Sequence, residues 1–363
     1  MKSSSQTAFI VDALPAIGGG EKTLFTALEI FPQADIFTLI YNRQAFAQTP
    51  IAMKRVITSF LDKLPLAHTH HRLLLPFMPA AIERFDLRAY DLVISFSYAV
   101  AHGVRVKQGA PHLSYTYTPM RYAWSDLNID GTHSRKKPLL ELAMRKFRAW
   151  DGAAASRVHE FAAISHGIAG RIQDAYRREA RVIYPPVELE RFSAREQRGD
   201  YFVTLSRLVP HKRIDVVVEA FSQLKLPLKV IGEGPERSRL QKRAASNIEF
   251  LGYQPEESVA ELLGNARGFV CAAEEDFGIA IVEAQAAGCP VIAYRGGGAS
   301  ETVIDGTTGL FFPAQSAGSL IEAVRRFEDV GDCFRCESLV ENARRFSKRR
   351  FVESFREFVS AHG

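Results

Sequence analysis

The sequence predicts an α/β protein built from two doubly wound parallel sheets. Short β-rich apolar runs alternate with helical patterns almost throughout. The alternation stops at one proline-marked polar stretch and then resumes. A chain of 363 residues is long enough for two domains of ordinary size.

In the first half, strands are expected at "TAFIVDAL", "ADIFTLI", "YDLVISFS", "PHLSYTYT" and "EFAAIS", with a helix near 20–29 and a long one near 135–158. The segment "VIYPPVELERFSAREQRGD" pairs two prolines with a charged tail, which marks Pro185 to about Asp200 as the linker. Strands follow at "YFVTLS", "LKVIG", "IEFLG", "GFVCAA", "PVIAY" and "GLFF". Between them lie helical stretches such as "RIDVVVEAFSQL", apolar at helical spacing. The expected domains are 1–185 and 186–345, facing each other across a cleft. A last helix, 346–363, is expected to cross back to the first domain.

Composition narrows the class. Hydrophobic residues make up 47% and charged residues 24%, a soluble globular profile. No apolar run reaches the length of a spanning helix, and "MKSSSQTAFIVDALP" reads as a first strand and not as a signal peptide. Of four cysteines, Cys271 and Cys289 sit in apolar runs, and the lone "CFRC" at 333–336 lacks the second pair a zinc site needs. A cytoplasmic compartment fits. The net charge of +5 is compatible with nucleic acid, anionic lipid or phosphate-rich ligands. The basic residues are dispersed and not set on an aromatic platform, which argues against nucleic acid.

The stretch "PAIGGGEKTLF", Pro15 to Phe25, looks at first like the phosphate loop of an ATPase. That loop needs Gly directly before its Lys; here Glu21 precedes Lys22 and brings a carboxylate where phosphate charge would sit. The glycines need another explanation.

In parallel sheets ligands bind beyond the carboxyl ends of strands, so motifs placed there carry weight. "LSRLVPHKRID" follows the first strand of the second half. Its Arg207 and Lys212 bracket a proline turn and form either a diphosphate clamp or a solvated basic loop. "EEDFGIAIVEAQAAGCPVIAY" follows "GFVCAA" and opens a helix near Gly278. The amides of Phe277, Gly278 and Ile279 at that helix start form an anion seat. Glu275 precedes the helix, where its plain reading is a helix-dipole partner. Glu283 is either a surface glutamate or, in its otherwise apolar stretch, a carboxylate that calls for a partner such as a ribose diol.

Glu275 and Glu283 in "EDFGIAIVEAQAAGCPVIA" resemble the signature of glycosyltransferase family 4. "SRLVPHKRID", "VIGEGPE" and "RGGGASETV" resemble that family's other blocks in the same order, and "GGGEK" and "YTPMRYAW" resemble blocks of its bacterial mannosyltransferases. The likeness covers nearly the whole chain and is strongest from 182 to 312. It implies a GT-B fold of two Rossmann-like domains, a nucleotide-diphosphate sugar donor (GDP-mannose by the mannosyltransferase likeness) and retention of configuration. By the same resemblance Arg207 and Lys212 hold the donor diphosphate, Glu275 contacts the sugar hydroxyls, and amides from Phe277 to Ile279 hold phosphate and sugar. Glu283 binds the ribose, and Gly232 and Glu233 approach base or ribose. Gly18, Gly19 and Gly20 let backbone approach phosphates and acceptor. Relatives often carry His where this chain has Tyr117, in the block that also holds Arg121.

The scheme asks for no metal and no cofactor. Fixed cations and helix amides stabilise the leaving diphosphate, and the chain has no Asp-x-Asp pair. The expected acceptor is a glycan or lipid-linked oligosaccharide. "HTHHRLLLPFMPAAIERF", 68 to 85, and "RKKPLLELAMRKFRAW", 135 to 150, read first as amphipathic helices packed on their own sheet, the alternative being peripheral contact with anionic membrane. The rival classes are a sugar-nucleotide epimerase and a non-catalytic nucleotide-sugar-binding protein.

Overall fold

A computed structural model describes residues 6–65, 67–124, 138–330 and 333–362. The chain divides into two compact units. The N-terminal unit runs to Pro186 and takes in Phe351–Gly363; the C-terminal unit is Val187–Arg350.

The N-terminal unit holds a seven-stranded sheet in the order β3-β2-β1-β4-β5-β6-β7. The strands are β1 (Thr7–Val11), β2 (Asp35–Thr38), β3 (Val56–Thr58), β4 (Leu92–Ser97), β5 (His112–Thr116), β6 (Glu160–Ala163) and β7 (Ala180–Val182). All neighbours pair in parallel. Every residue of β1, β4 and β5 is buried, as expected of central strands covered on both faces. The strand order reverses between β1 and β4, and there the buried Asp12, just past β1, accepts four backbone hydrogen bonds. Tyr98 and Ala99 N–H donate to Oδ2 at 2.6 and 3.0 Å, and Val100 and Ala101 N–H to Oδ1 at 2.5 and 2.7 Å. Burial raises the Asp12 pKa, opposed by the amides of Tyr98, Val100 and Ala101 and by nearby His102.

The helix Lys348–Ser360 places Phe351, Phe355, Phe358 and Val359 on one buried stripe, spaced to share a helix face. Phe355 stacks on Phe96 at 6.2 Å and meets Phe31 and Tyr115 edge-on. The helix Pro138–Ala155 buries Phe147, and its Trp150 Nε1–H donates to Glu83 at 3.0 Å. Arg135, Lys136 and Lys137 lie outside the described residues. In the 68–85 stretch, Met78, Ala81 and Ile82 join the core, while Leu73 and Phe77 stay 69% and 56% exposed.

The C-terminal unit holds a six-stranded parallel sheet in the order β10-β9-β8-β11-β12-β13. Its strands are β8 (Phe202–Leu205), β9 (Leu228–Ile231), β10 (Ile248–Gly252), β11 (Gly268–Cys271), β12 (Val291–Tyr294) and β13 (Gly309–Phe312). This is the doubly wound order, with its reversal between β8 and β11. The amphipathic helix Ile214–Leu224 turns Val217, Val218 and Phe221 into the core. The segment read as a linker is partly built into this unit: Val187 N–H donates to Phe346 O at 3.0 Å, and Leu189–Arg191 forms a 3₁₀ turn. No helix among the described residues is long and apolar enough to cross a membrane.

Candidate active site

The reversal between β8 and β11 is where a doubly wound sheet opens a crevice beyond its strand ends. Both motif loops emerge there. After β8 the chain makes a 3₁₀ turn, Pro210–Lys212, and Arg213 follows with φ 52°, a left-handed conformation uncommon for a non-glycine residue. After β11 it runs through Glu274–Phe277 into the helix Ile279–Ala286, capped by Gly278 at φ 91°. Across this gap Lys212 Nζ donates to both oxygens of Glu275, at 2.7 and 2.6 Å.

Neighbouring loops fix this geometry. Gly297 and Gly298, after β12, lie directly on the Glu275–Phe277 backbone: Gly298 N–H donates to Glu275 O at 2.6 Å. A Cβ on Gly297 would fall 2.1 Å from Glu275 O, and one on Gly298 would fall 2.3 Å from Phe277 Cα. The Phe277 ring is buried edge-on to Phe346, 5.4 Å away. On the other side, Arg213 donates to Asp215 at 3.3 Å and to Gln315 O at 3.2 Å, while Gln315 Nε2–H donates to Ala272 O at 2.7 Å. That chain ties the Lys212 turn to the end of β11. Arg207 is exposed in the same loop as Lys212.

Gly232 takes φ 125° and leaves no room for a side chain, since its Cβ would lie 1.9 Å from Ser206 O. The "VIGEGPE" loop therefore runs against the β8 loop, and Leu208 N–H donates to Glu233 O at 2.8 Å. The Glu233 carboxylate pairs with Arg237. Glu283 is 8% exposed on the helix Ile279–Ala286, and its Oε1 accepts from Arg191 at 3.2 Å; Arg191 also pairs with Glu256. The buried carboxylate thus has the partner its surroundings demand.

Gly18, Gly19, Gly20, Tyr117 and Arg121 belong to the N-terminal unit. Gly18 caps the helix Gly19–Ile30, and its N–H donates to Glu21 Oε2 at 2.8 Å. The glutamate that rules out the ATPase loop thus supplies the glutamate half of a capping box, its carboxylate accepting from the N-cap amide. Tyr117 O–H donates to Gly20 O at 2.7 Å, so the tyrosine and the glycine loop form one corner. Burial, with the Glu21 charge, raises its phenol well above the ordinary range. Arg121 begins the short helix Arg121–Trp124.

The structure therefore joins Lys212 to Glu275 and packs Gly232, Phe277 and Gly278 around their loops. It also brings forward residues not singled out from sequence. Arg191 carries no local signal, because its partner Glu283 lies 92 residues away. Gly297 and Gly298 stand in the quoted "RGGGASETV" block, which was a usable signal.

Residues 187–346, within the C-terminal unit, match the family model for glycosyl transferases group 1. An uncharacterized glycosyltransferase of Methanocaldococcus jannaschii is 31% identical over 193 residues, 51% of this chain and 54% of that protein. A GDP-mannose-dependent alpha-(1-6)-phosphatidylinositol monomannoside mannosyltransferase of Mycolicibacterium smegmatis is 33% identical over 140 residues, 34% of this chain and 37% of that protein. The chain thus spans about half or less of the length of these curated relatives. Among solved structures, Anabaena HepE in complex with UDP-glucose superposes with TM-score 0.71 at 18% identity, covering 98% of this chain and 99% of that one. Sucrose-phosphate synthase from Thermosynechococcus elongatus reaches 0.75 at 18% identity, covering 98% and 100%. These likenesses agree with the fold class expected from sequence, two Rossmann-like parallel-sheet units.

Proposed function

We propose that this chain is a retaining, metal-independent glycosyltransferase that moves mannose from GDP-mannose to a glycan or lipid-linked acceptor in bacterial surface polysaccharide synthesis. The observation that carries the reading is the Lys212–Glu275 pair at the reversal point of a group 1 glycosyltransferase domain. The mannosyl donor is supported by the GDP-mannose-dependent relative.

In this reading Lys212 and Arg207 take the donor diphosphate with the amides of Phe277, Gly278 and Ile279. As the sugar–phosphate bond breaks, negative charge grows on the diphosphate, and these fixed groups stabilise it more in the transition state than in the ground state. Two cationic side chains supply the charge that a metal supplies elsewhere. Glu275 orients the sugar through its hydroxyls, and Glu283, held by Arg191, takes the ribose. Gly232 and Glu233 border the nucleotide. In the N-terminal unit Gly18, Gly19 and Gly20 are assigned to phosphates and acceptor, Tyr117 offers a hydroxyl where relatives often have His, and Arg121 belongs to the same sequence block as Tyr117. Exposed Leu73 and Phe77 support peripheral contact with an anionic membrane from the cytoplasmic side.

Incubation with GDP-mannose, UDP-glucose or ADP-glucose, with a bacterial lipid extract as acceptor, tests this. GDP release that persists in excess EDTA, with an α-linked product by NMR, is expected. Loss of release in EDTA with recovery on adding magnesium rejects metal independence, and turnover of UDP-glucose alone reassigns the donor.

A further inference from the structure

Lys212 and Glu275 are assigned to two different parts of the donor, yet they hold each other. The ammonium sits 2.7 and 2.6 Å from the two carboxylate oxygens. Both side chains are only about one-fifth exposed, at 20% and 19%, so neither charge is fully hydrated. The contact is built from fixed backbone. Lys212 ends a 3₁₀ turn that the left-handed Arg213 closes, and Arg213 is tied to Asp215 and Gln315. Glu275 is bridged to Gly297, and its carbonyl accepts from Gly298. Two pinned loops present a cation and a carboxylate at hydrogen-bonding distance.

We propose that Glu275 is a latch on Lys212 that selects intact nucleotide sugar over the free nucleoside diphosphate left after transfer. The inference rests on the donor-site reading above. A diphosphate that draws two of the three N–H donors of the Lys212 ammonium to itself evicts the Glu275 carboxylate. The evicted carboxylate is partly desolvated and needs hydrogen-bond donors. Vicinal hydroxyls of the hexose supply two O–H donors in a geometry that matches its two oxygens. A bare nucleoside diphosphate supplies none and places like charge beside it. Donor binding is thus an exchange of partners in which both groups end satisfied. Product binding leaves one of them stranded. The same carboxylate that orients the sugar drives the spent nucleotide out, because the latch closes again when the sugar leaves.

Calorimetric titration of GDP and of GDP-mannose into the wild type, Glu275→Gln, Lys212→Met and the double variant tests the latch. Glu275→Gln is expected to tighten GDP about tenfold, the scale of a charged hydrogen bond, while GDP-mannose binds no tighter than to the wild type. In the Lys212→Met background the same change is expected to alter GDP affinity by less than about threefold, because the carboxylate then has no ammonium to release. Glu275→Asp keeps the charge but retracts it, and is expected to tighten GDP to a smaller degree; it keeps the comparison readable if the Gln variant folds poorly. If GDP binds the wild type, Lys212→Met weakens it, and neither Glu275 variant tightens it, the latch is wrong while the donor site stands. If Glu275→Gln tightens GDP equally with and without Lys212, simple repulsion replaces the latch. If GDP does not bind the wild type, both readings fall together.

Discussion

Replacing Gly298 by alanine isolates the part of the account that depends on close backbone contact. Gly298 has φ −63° and ψ −21°, helical values open to any L-residue, so alanine brings no backbone strain. The added Cβ would lie 2.3 Å from Phe277 Cα and O and 2.5 Å from its carbonyl carbon. Ordinary contact between carbon atoms is about 3.5–4.0 Å, so the two segments must part by about 1 Å. Gly298 is held by its hydrogen bond to Glu275 and by Thr302, whose hydroxyl donates to Gly298 O at 3.0 Å. The loop bearing Glu275 and Phe277 has to yield. Overpacking of this kind costs about 1–3 kcal/mol of stability, and a misplacement of about 1 Å in a reacting site costs about 100-fold in rate. Initial rates of GDP release from GDP-mannose, measured beside urea denaturation, are expected to show a folded variant about 100-fold slower. Gly170→Ala is the control, since a Cβ there meets nothing within 4 Å. Wild-type turnover by Gly298→Ala would refute the claim that the loop after β11 sets the reaction geometry.

Other consequences follow from the same geometry. Glu283→Ala is expected to weaken GDP binding by about 1.5–3 kcal/mol, and Arg191→Met by less in the same direction; calorimetry showing both unchanged would remove Glu283 from the nucleotide site. The buried His112, with Ser95 Oγ at 3.0 Å, has its pKa pushed down to about 3, mainly by burial. Because the folded pKa lies below the unfolded value of 6.5, the unfolded chain binds a proton that the folded chain refuses as pH falls between them. Stability is therefore fully present above that window and drops through it by about 1.4 kcal/mol per pH unit, a slope that His112→Gln should remove; equal slopes in chemical denaturation would reject this. Leu73→Ser with Phe77→Ser is expected to weaken flotation on anionic vesicles, and unchanged flotation would remove that patch from membrane contact.

What the sequence shows and what it hides have physical reasons. β8, β9, β11, β12 and β13 read clearly because each is an apolar run bounded by turn residues. β3 and β7 escaped, because each has three residues, none of them fully buried, at the two edges of its sheet. Three residues at an edge carry no usable period. In the site, Lys212, Glu275 and Gly278 stand in contiguous motifs at strand ends and are legible for that reason. The pairing of Lys212 with Glu275 spans 63 residues, and that of Tyr117 with Gly20 spans 97, so no local pattern announces either. Gly297 and Gly298 are visible as glycines, but the reason for them appears only when their missing Cβ atoms are seen to overlap Glu275 and Phe277. Arg213 is similar: its left-handed backbone, uncommon for arginine, is a three-dimensional fact about how the Lys212 turn is closed.

Hydrogen–deuterium exchange with and without GDP tests the placement of the proposed donor site most directly. Backbone amides of the loops after β8, β9, β11 and β12 should be protected when GDP is bound. Those loops are Ser206–Arg213, Gly232–Glu236, Glu274–Ala280 and Gly296–Ala299. The helix Ile214–Leu224 and the outer strand β10 should exchange as before. Saturating GDP that leaves those four loops unprotected, or that protects another face of the molecule, would contradict the account.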